Sequence, residues 1–234
     1  MLETTTSYEQ PFQSDLLLSR PGTSILVGAS FSGKTTTLKN IIDDIGGYFD
    51  LYFVFSLNKE TLDDWGSYIR KRDKAVIKIE AIDNILNIPR ISNKLIKIRD
   101  KKRQLRMCLI LDDILGDESG ATTKEFKYKK NLNHFIAYSA RHYNIWSFLL
   151  VQDVCSLGRA IYSNAMAVFV FYERNQMIFE QHIIPKILDC VSNRELPAGQ
   201  RKACLKVKME QLNPYQSLVV FVNRDTQRSE LYVI

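Results

Sequence analysis

Residues 24–39 read SILVGASFSGKTTTLK, and this stretch decides the fold. A short apolar run at 25–27 leads into a G-x-x-x-x-G-K-[ST] pattern, and a run with helical spacing follows it. The fixed positions of the pattern are Gly28, Gly33, Lys34 and Thr35. The sequence therefore predicts a strand, a phosphate-binding loop and a helix, in that order. The alternative is a glycine-rich turn that matches by chance, but a chance match would rarely be flanked by both a strand and a helix.

The chemistry of such a loop explains the residue types at this spacing. Consecutive backbone N–H groups curve around an anion, so glycine is needed where a Cβ would block the required dihedral angles or the phosphate oxygens. The following helix adds unpaired N–H groups and the positive end of its dipole. Lys34 is expected to reach the β- and γ-phosphates, and Thr35 to offer its hydroxyl to Mg²⁺. The predicted nucleotide-binding set is Gly28, Ala29, Ser30, Phe31, Ser32, Gly33, Lys34, Thr35 and Thr36.

Two acids close a second informative strand. The apolar residues 107–111 are followed directly by Asp112 and Asp113. Ligands of open α/β sheets lie beyond the carboxyl ends of the strands, so both acids should face the triphosphate. Asp112 then suits a role at Mg²⁺, and Asp113 suits polarising the attacking water. The alternative is an ordinary strand-to-loop turn, where Asp is common.

A third strand, 145–151, ends in Gln152. An amide at the carboxyl end of an apolar strand is placed to hydrogen-bond the γ-phosphate or the lytic water, although a glutamine that only caps the strand is the alternative. Arg141 and Arg159 are candidates for neutralising charge in the transition state. Such an arginine can come from a neighbouring subunit. For each of them the alternative is a surface or structural arginine.

The composition fits one soluble α/β domain. The chain has 234 residues and is 45% hydrophobic, which suffices for one core but not for two large ones. We expect a single domain over 1–234, with its core at about 20–175 and a C-terminal extension at 176–234. The four cysteines lie far apart without metal-ligand spacing, so no zinc site is expected. Neither a secretory signal nor an apolar run long enough for a membrane span is visible, which predicts a soluble protein of the cytosol, or of the nucleus if it enters by diffusion or by a signal not seen here.

The alternation of strands and helices predicts a mostly parallel sheet with helices on both faces. The last segments, 218–222 and 230–234, read as two short strands joined by an exposed turn. We also expect a helix over 124–140.

Two stretches are strongly basic, within a chain of net charge +6. They lie near 94–106 and 124–130, and they are candidates for contact with the phosphates of nucleic acid. The alternative is a solvated helix face, which is what charge runs usually are. The residues expected to contact DNA are Lys101, Lys102, Arg103, Lys127 and Lys129.

Together these motifs resemble a known family. GASFSGKT at 28–35, LILDD at 109–113, SARHYNIWSFLLVQD at 139–153 and LGRAIYSNA at 157–165 are similar to segments of the genome-packaging ATPases of large eukaryotic DNA viruses and virophages. These enzymes form the poxvirus-type branch of the FtsK–HerA superfamily. The resemblance covers about 20–175, and the segment Arg141-His142-Tyr143-Asn144 together with Gln152 is its discriminating part.

The resemblance implies an ATP-driven ring motor, usually hexameric, that moves double-stranded DNA into a preformed capsid. It implies a P-loop fold of the additional-strand type, in which the Gln152 strand lies between the Gly28 and Asp112 strands. It further implies ATP and Mg²⁺ as cofactors, capsid vertex proteins as partners, and action in the viral factory of the host cytoplasm or in the virion. The roles carried over are nucleotide binding by Lys34 and Thr35, metal binding by Asp112, catalysis by Asp113, a sensor role for Gln152 and the segment arginine for Arg141.

Two other functions are open from the sequence. The first is a monomeric nucleotide switch or small-molecule kinase, although neither an arginine-rich lid nor an N-K-x-D motif is present. The second is a scaffold that binds nucleotide without turnover at a capsid vertex. The stretch 116–130 is longer and more basic than the family pattern leads us to expect, which suggests a DNA-facing loop.

Overall fold

An eight-stranded sheet runs through the part of the chain described by the computed structural model. That part comprises residues 11–99, 105–112, 131–152, 157–173, 175, 177, 179–188, 197–223 and 228–234. The strands in chain order are β1 (Thr23–Val27), β2 (Leu51–Ser56), β3 (Ala75–Ile79), β4 (Met107–Asp112), β5 (Ile145–Val151), β6 (Ala165–Phe171), β7 (Ser217–Asn223) and β8 (Arg228–Val233). Their order across the sheet is β3-β2-β4-β5-β1-β6-β7-β8.

The first six strands are parallel. Five of these six, all except β3, are buried along their whole length, as expected for near-continuous apolar runs covered on both faces. Strand β5 pairs with β1 on one side and with β4 on the other. The predicted additional-strand arrangement is therefore confirmed.

The two C-terminal strands extend the same sheet through antiparallel pairing. β7 pairs antiparallel with β6, and β8 pairs antiparallel with β7. The C-terminal extension therefore adds a hairpin to the sheet at the β6 edge.

The α-helices that the structure describes cover both faces of the sheet. They are α1 (Lys34–Ile45), α2 (Lys59–Arg70), α3 (Ile88–Arg99), α4 (Arg159–Asn164), α5 (Ile184–Leu188) and α6 (Ala198–Glu210). Short 3₁₀ turns occur at Ser14–Leu18, Gly46–Tyr48, Ile82–Asn87 and Ala140–Tyr143, and π turns at Phe135–Ser139 and Phe179–Ile183. Within these described helices, no segment has both the length and the apolar character needed to cross a membrane.

Successive side chains of each strand point alternately into two hydrophobic cores, one on each face of the sheet. On β1, Ile25 and Val27 join the core beneath α4, α5 and α6. Leu26 points to the opposite core, which also contains Leu38 of α1 and Trp65 of α2. The helix that follows the phosphate-binding loop and the helix that carries Trp65 thus share one face of the sheet.

The segment before β5 differs from the expected helix over 124–140. Residues 124–130 lie outside the described residues, and after one turn at 131–134 the backbone forms the π turn Phe135–Ser139 and then a 3₁₀ turn. Asn144 ends this segment in the left-handed conformation with a φ of 59°. Asn tolerates that conformation better than most residues, and the chain can therefore reverse directly into β5.

The C-terminal part contains one helix that the sequence analysis did not predict. Among the α6 side chains that the structure describes, only Leu205 and Met209 are buried in the core, so the apolar periodicity of the helix is weak. The π turn Phe179–Ile183 runs directly into α5, and Pro185 is the second residue of that helix.

Candidate nucleotide-binding site

The phosphate-binding loop leaves the sheet at Gly28. Its N–H donates to the carbonyl of Val151 on β5, over 3.2 Å. A Cβ at Gly28 would lie 2.7 Å from Cβ of Phe171 and 2.8 Å from Oγ of Ser32. Only glycine therefore fits between the loop and strand β6.

The second glycine of the loop sets the start of α1. Gly33 has a φ of +101°, a conformation that favours glycine. The N–H of Thr37 donates to the carbonyl of Gly33 over 2.9 Å, so the helix begins immediately after it. The N-terminus of α1 is thereby aimed into the loop, as anion binding requires.

Lys34 lies across the loop. Its Nζ donates to the carbonyls of Gly28 and Ala29, over 2.9 and 2.8 Å, and the residue is only 8% exposed. This geometry holds a positive charge at the centre of the loop. The outer residues Ala29, Ser30, Phe31 and Thr36 are exposed, so a ligand can reach the loop from solvent.

Asp112 is the last residue of β4 and is 4% exposed. Its Oδ2 accepts a hydrogen bond of 2.8 Å from Nε1 of Trp65, which is fully buried in α2. Asn58 caps the start of α2 by accepting from the N–H groups of Glu60 and Thr61. The carboxylate is therefore held by a capped helix that packs on the same face as α1. Asp113 lies outside the described residues.

Gln152 follows β5 directly and meets the loop. Oγ of Ser30 donates to Oε1 of Gln152 over 2.8 Å. Because β5 lies between β4 and β1, Gln152 emerges between the strand that carries Asp112 and the strand that leads to Lys34. The structure thus brings these three predicted residues to one edge of the sheet.

The oxygen ligands at this edge fit Mg²⁺ by their chemistry. Mg²⁺ takes one or two protein oxygens and completes its shell with water and phosphate. A hydroxyl from Thr35 and a carboxylate from Asp112 are such a pair. Within the described ranges there is no group of three or more His, Cys, Asp or Glu side chains that could hold a metal ion.

Arg141 lies at the amino ends of the parallel strands, opposite the carboxyl ends where the phosphate-binding loop lies. It belongs to the 3₁₀ turn before β5, is exposed, and lines a small cleft with Thr23 at the amino end of β1. Seven residues of β5 separate this turn from Gln152, which corresponds to about 20 Å. Arg141 therefore cannot reach the phosphate-binding loop of its own subunit.

Other predicted residues lie elsewhere. Arg159 is the exposed first residue of α4, between β5 and β6. The five lysines and arginines expected to contact DNA lie outside the described residues. Cys108 on β4 is fully buried, and this burial raises the pKa of its thiol, so the thiol stays neutral in the core.

Sequence reasoning missed two features of this site. Trp65 is buried, but its hydrogen bond to Asp112 could not be foreseen from the sequence, because 47 positions separate the two residues. Tyr215 was not singled out, although its ring lies beside Gly33. A left-handed tyrosine in a polar turn carries no local sequence signature.

A family model described as "Poxvirus A32 protein" matches residues 9–184 of the chain. A search of curated proteins finds no match.

Three solved structures share the fold. The genome packaging NTPase B204 from Sulfolobus turreted icosahedral virus 2, in complex with AMPPCP, is 16% identical with a TM-score of 0.54, over 90% of this chain and 96% of B204. B204, the DNA-packaging ATPase from Sulfolobus turreted icosahedral virus, is 16% identical with a TM-score of 0.54, over 91% and 97% of the two chains. The pCW3 conjugation coupling protein TcpA, with ATPγS, is 12% identical with a TM-score of 0.57, over 92% and 60%.

Proposed function

Because the chain belongs to the poxvirus A32 protein family, we propose that it is an ATP-hydrolysing motor that moves viral double-stranded DNA into a preformed capsid. The resemblance seen in the motifs is thereby confirmed at the level of the family. The observation that carries the proposal is the convergence of Lys34, Asp112 and Gln152 at one edge of three adjacent strands. A loop alone would serve binding, whereas an acid and an amide facing it are suited to hydrolysis.

Each residue of this edge has a distinct task in the proposed reaction. The N–H groups of the loop and the start of α1 hold the phosphates, and Lys34 turns from the carbonyls of Gly28 and Ala29 to the β- and γ-phosphates. Thr35 and Asp112 would hold Mg²⁺, which supplies neutralisation of charge on the phosphate oxygens. Gln152 orients the attacking water or the γ-phosphate, and Asp113 accepts the proton of that water.

The position of Arg141 supports a ring. An exposed arginine about 20 Å from the loop of its own chain could contact a bound nucleotide only in another subunit. Supplied in this way, an arginine makes hydrolysis depend on assembly, because it stabilises the charge of the transition state in the neighbour. We propose a closed homo-oligomer, most simply a hexamer, with Arg141 rather than Arg159 at the shared site.

The proposed partners follow from the packaging role. Double-stranded DNA would contact the basic residues near 94–106 and 124–130, and the capsid vertex would anchor the ring during virion assembly in the host cytoplasm. The monomeric switch or kinase is not favoured, because the chain belongs to the poxvirus A32 protein family and shares its fold with viral genome-packaging ATPases. A scaffold without turnover remains distinguishable by its lack of hydrolysis.

Hydrolysis is the first test. Purified protein should release phosphate from ATP in the presence of Mg²⁺, and Lys34→Ala or Asp113→Asn should abolish turnover. Lys71→Ala, which removes an exposed lysine just after α2, is the control and should leave turnover unchanged. Normal turnover in Lys34→Ala would overturn the site assignment, and nucleotide binding without turnover in the wild type would favour the scaffold.

The ring is tested by mixing subunits. Arg141→Ala and Lys34→Ala proteins, each inactive alone, should recover part of the activity when they are mixed, since the intact loop of an Arg141→Ala subunit can receive the arginine of a Lys34→Ala neighbour. No recovery in the mixture would contradict a shared site.

DNA binding is tested by its dependence on salt. Each phosphate contact should contribute a slope of roughly −0.9 to the log–log dependence of affinity on salt concentration. Affinity for duplex DNA that does not change with salt would exclude the proposed basic contacts.

A further inference from the structure

A cleft of about 420 Å³ opens beside the phosphate-binding loop. One wall is formed by Gly33 of the loop and by Thr36, Thr37 and Asn40 from the first two turns of α1. Phe12 and Tyr215 contribute aromatic groups to the lining. The size of this cleft, and its combination of apolar side chains with several polar groups, suit the binding of a small molecule.

Tyr215 is held in a conformation that is unfavourable for a bulky residue. Its φ is 71°, in the left-handed region, and the residue is 73% exposed, so burial of the ring offsets little of the strain. Strain of this kind is retained where the surrounding structure fixes it, often at ligand sites.

The turn around Tyr215 fixes this conformation. The N–H of Gln216 donates to the carbonyl of Asn213, and Oε1 of Gln216 accepts from the N–H of Asn213 over 2.7 Å. The carbonyl of Gln216 accepts from the N–H of Tyr172 just after β6. The turn is therefore fastened both to itself and to the central sheet.

The ring of Tyr215 faces the loop. A Cβ built on Gly33 would lie 3.9 Å from Cδ1 of Tyr215. Phe31, in the loop itself, is another exposed aromatic residue with a positive φ, but it does not line the cleft. Of these two aromatic residues, only Tyr215 therefore lies beside the first turns of α1.

We propose that this cleft binds the base and ribose of the nucleotide, with the base stacked on Tyr215. The inference rests on the proposed function, because the phosphates must lie at the start of α1 for the nucleoside to extend past Thr36 and along Thr37. Asn40 offers an amide donor and acceptor to the polar edge of a base. The carboxylate of Asp44, which accepts from Oγ of Ser14 over 2.9 Å, lies further along the same wall.

Equilibrium binding to the full chain tests the proposal, with two ligands measured by calorimetry. AMPPNP carries a base, whereas inorganic tripolyphosphate can occupy only the loop. Tyr215→Ala should weaken AMPPNP binding by on the order of 10-fold or more, as loss of one base–aromatic stack predicts, and leave tripolyphosphate affinity unchanged. Tyr215→Phe should retain both affinities, because the stacking face remains. Tyr138→Ala, another exposed tyrosine outside the cleft, is the matched control and should change neither.

Three results would contradict the inference or its premise. Unchanged AMPPNP affinity in Tyr215→Ala would show that the ring does not contact the base. Equal weakening of AMPPNP and tripolyphosphate in Tyr215→Ala would show that the ring supports the loop instead. Failure of the wild-type protein to bind either ligand would overturn the proposed function itself, and is thus distinct from failure at Tyr215.

Discussion

Nε1 of Trp65 donates a hydrogen bond of 2.8 Å to Oδ2 of Asp112, which joins helix α2 to the end of strand β4 inside the core. The bond fixes one oxygen of a nearly buried carboxylate. It thereby limits the directions in which the other oxygen can point. Trp65 is a positioning residue for the proposed metal-binding acid.

Replacing Trp65 by Phe should destabilise the fold and weaken the response to Mg²⁺. Removing one donor from a buried carboxylate costs about 1.5–3 kcal/mol of unfolding free energy. The Mg²⁺ concentration at half-maximal turnover should also rise. Denaturant unfolding and a Mg²⁺ titration measure the two effects.

Trp146→Phe is the matched control for this prediction. Trp146 is equally buried, but its Nε1 has no hydrogen-bond partner among the described residues. The substitution therefore removes the same ring volume without removing a bond. Equal effects of the two substitutions on stability and on Mg²⁺ dependence would show that the bond to Asp112 is unimportant.

The contact between Ser30 and Gln152 should couple the loop to the end of β5. Ser30→Ala removes the hydroxyl donor, and an exposed neutral bond of this kind contributes about 0.5–1.5 kcal/mol. We expect a several-fold lower turnover number. In a Gln152→Ala background the same change should have no further effect, because both substitutions remove one interaction. Additive losses in the double mutant would be evidence against the coupling.

Gly28→Ala should destabilise the protein. The new Cβ would collide with Cβ of Phe171, which is fully buried, so the loop or strand β6 must shift. Overpacking of this kind costs about 1–3 kcal/mol. Gly199→Ala in α6 is the control, since nothing lies within 4 Å of its Cβ position. Thermal unfolding should separate the two variants, and an unchanged melting temperature for Gly28→Ala would contradict the close packing.

Loss of the N-cap of α2 should lower the stability of the protein, although this cap lies away from the phosphate-binding loop. Asn58→Ala leaves the N–H groups of Glu60 and Thr61 without their side-chain acceptor, at a cost of about 1 kcal/mol. Asn58→Asp should restore the stability, because Asp caps a helix as well as Asn does. If the Asp variant unfolds as easily as the Ala variant, the cap is not the cause.

The sequence predicted those features whose pattern depends on neighbouring positions in the chain. They are the glycines of the loop, the apolar run before Asp112 and the position of Gln152 after a strand. Their strands were predictable for that reason, and the motif resemblance supplied the order of β4, β5 and β1. That order is confirmed by the pairing of the strands.

The features that sequence reasoning missed depend on distant parts of the chain. α6 contacts the core along one narrow stripe, so few of its described residues are buried and apolar. The helical periodicity of its apolar residues was therefore too weak to detect in the sequence. The bond from Trp65 and the ring of Tyr215 beside Gly33 both join segments far apart in the sequence. Packing alone decides such contacts. The roles of Lys34, Asp112, Gln152 and Arg141 remain predictions for the experiments above.

Strand β5 carries Gln152 at one end and the turn of Arg141 at the other. In the proposed ring, each subunit offers its arginine from one side and receives its neighbour's arginine at the other, so every contact is head-to-tail. Such a ring has a rotational sense. A subunit that lacks Arg141 would then impair hydrolysis in the neighbour on one side only, while its own loop would still receive an arginine from the neighbour on the other side.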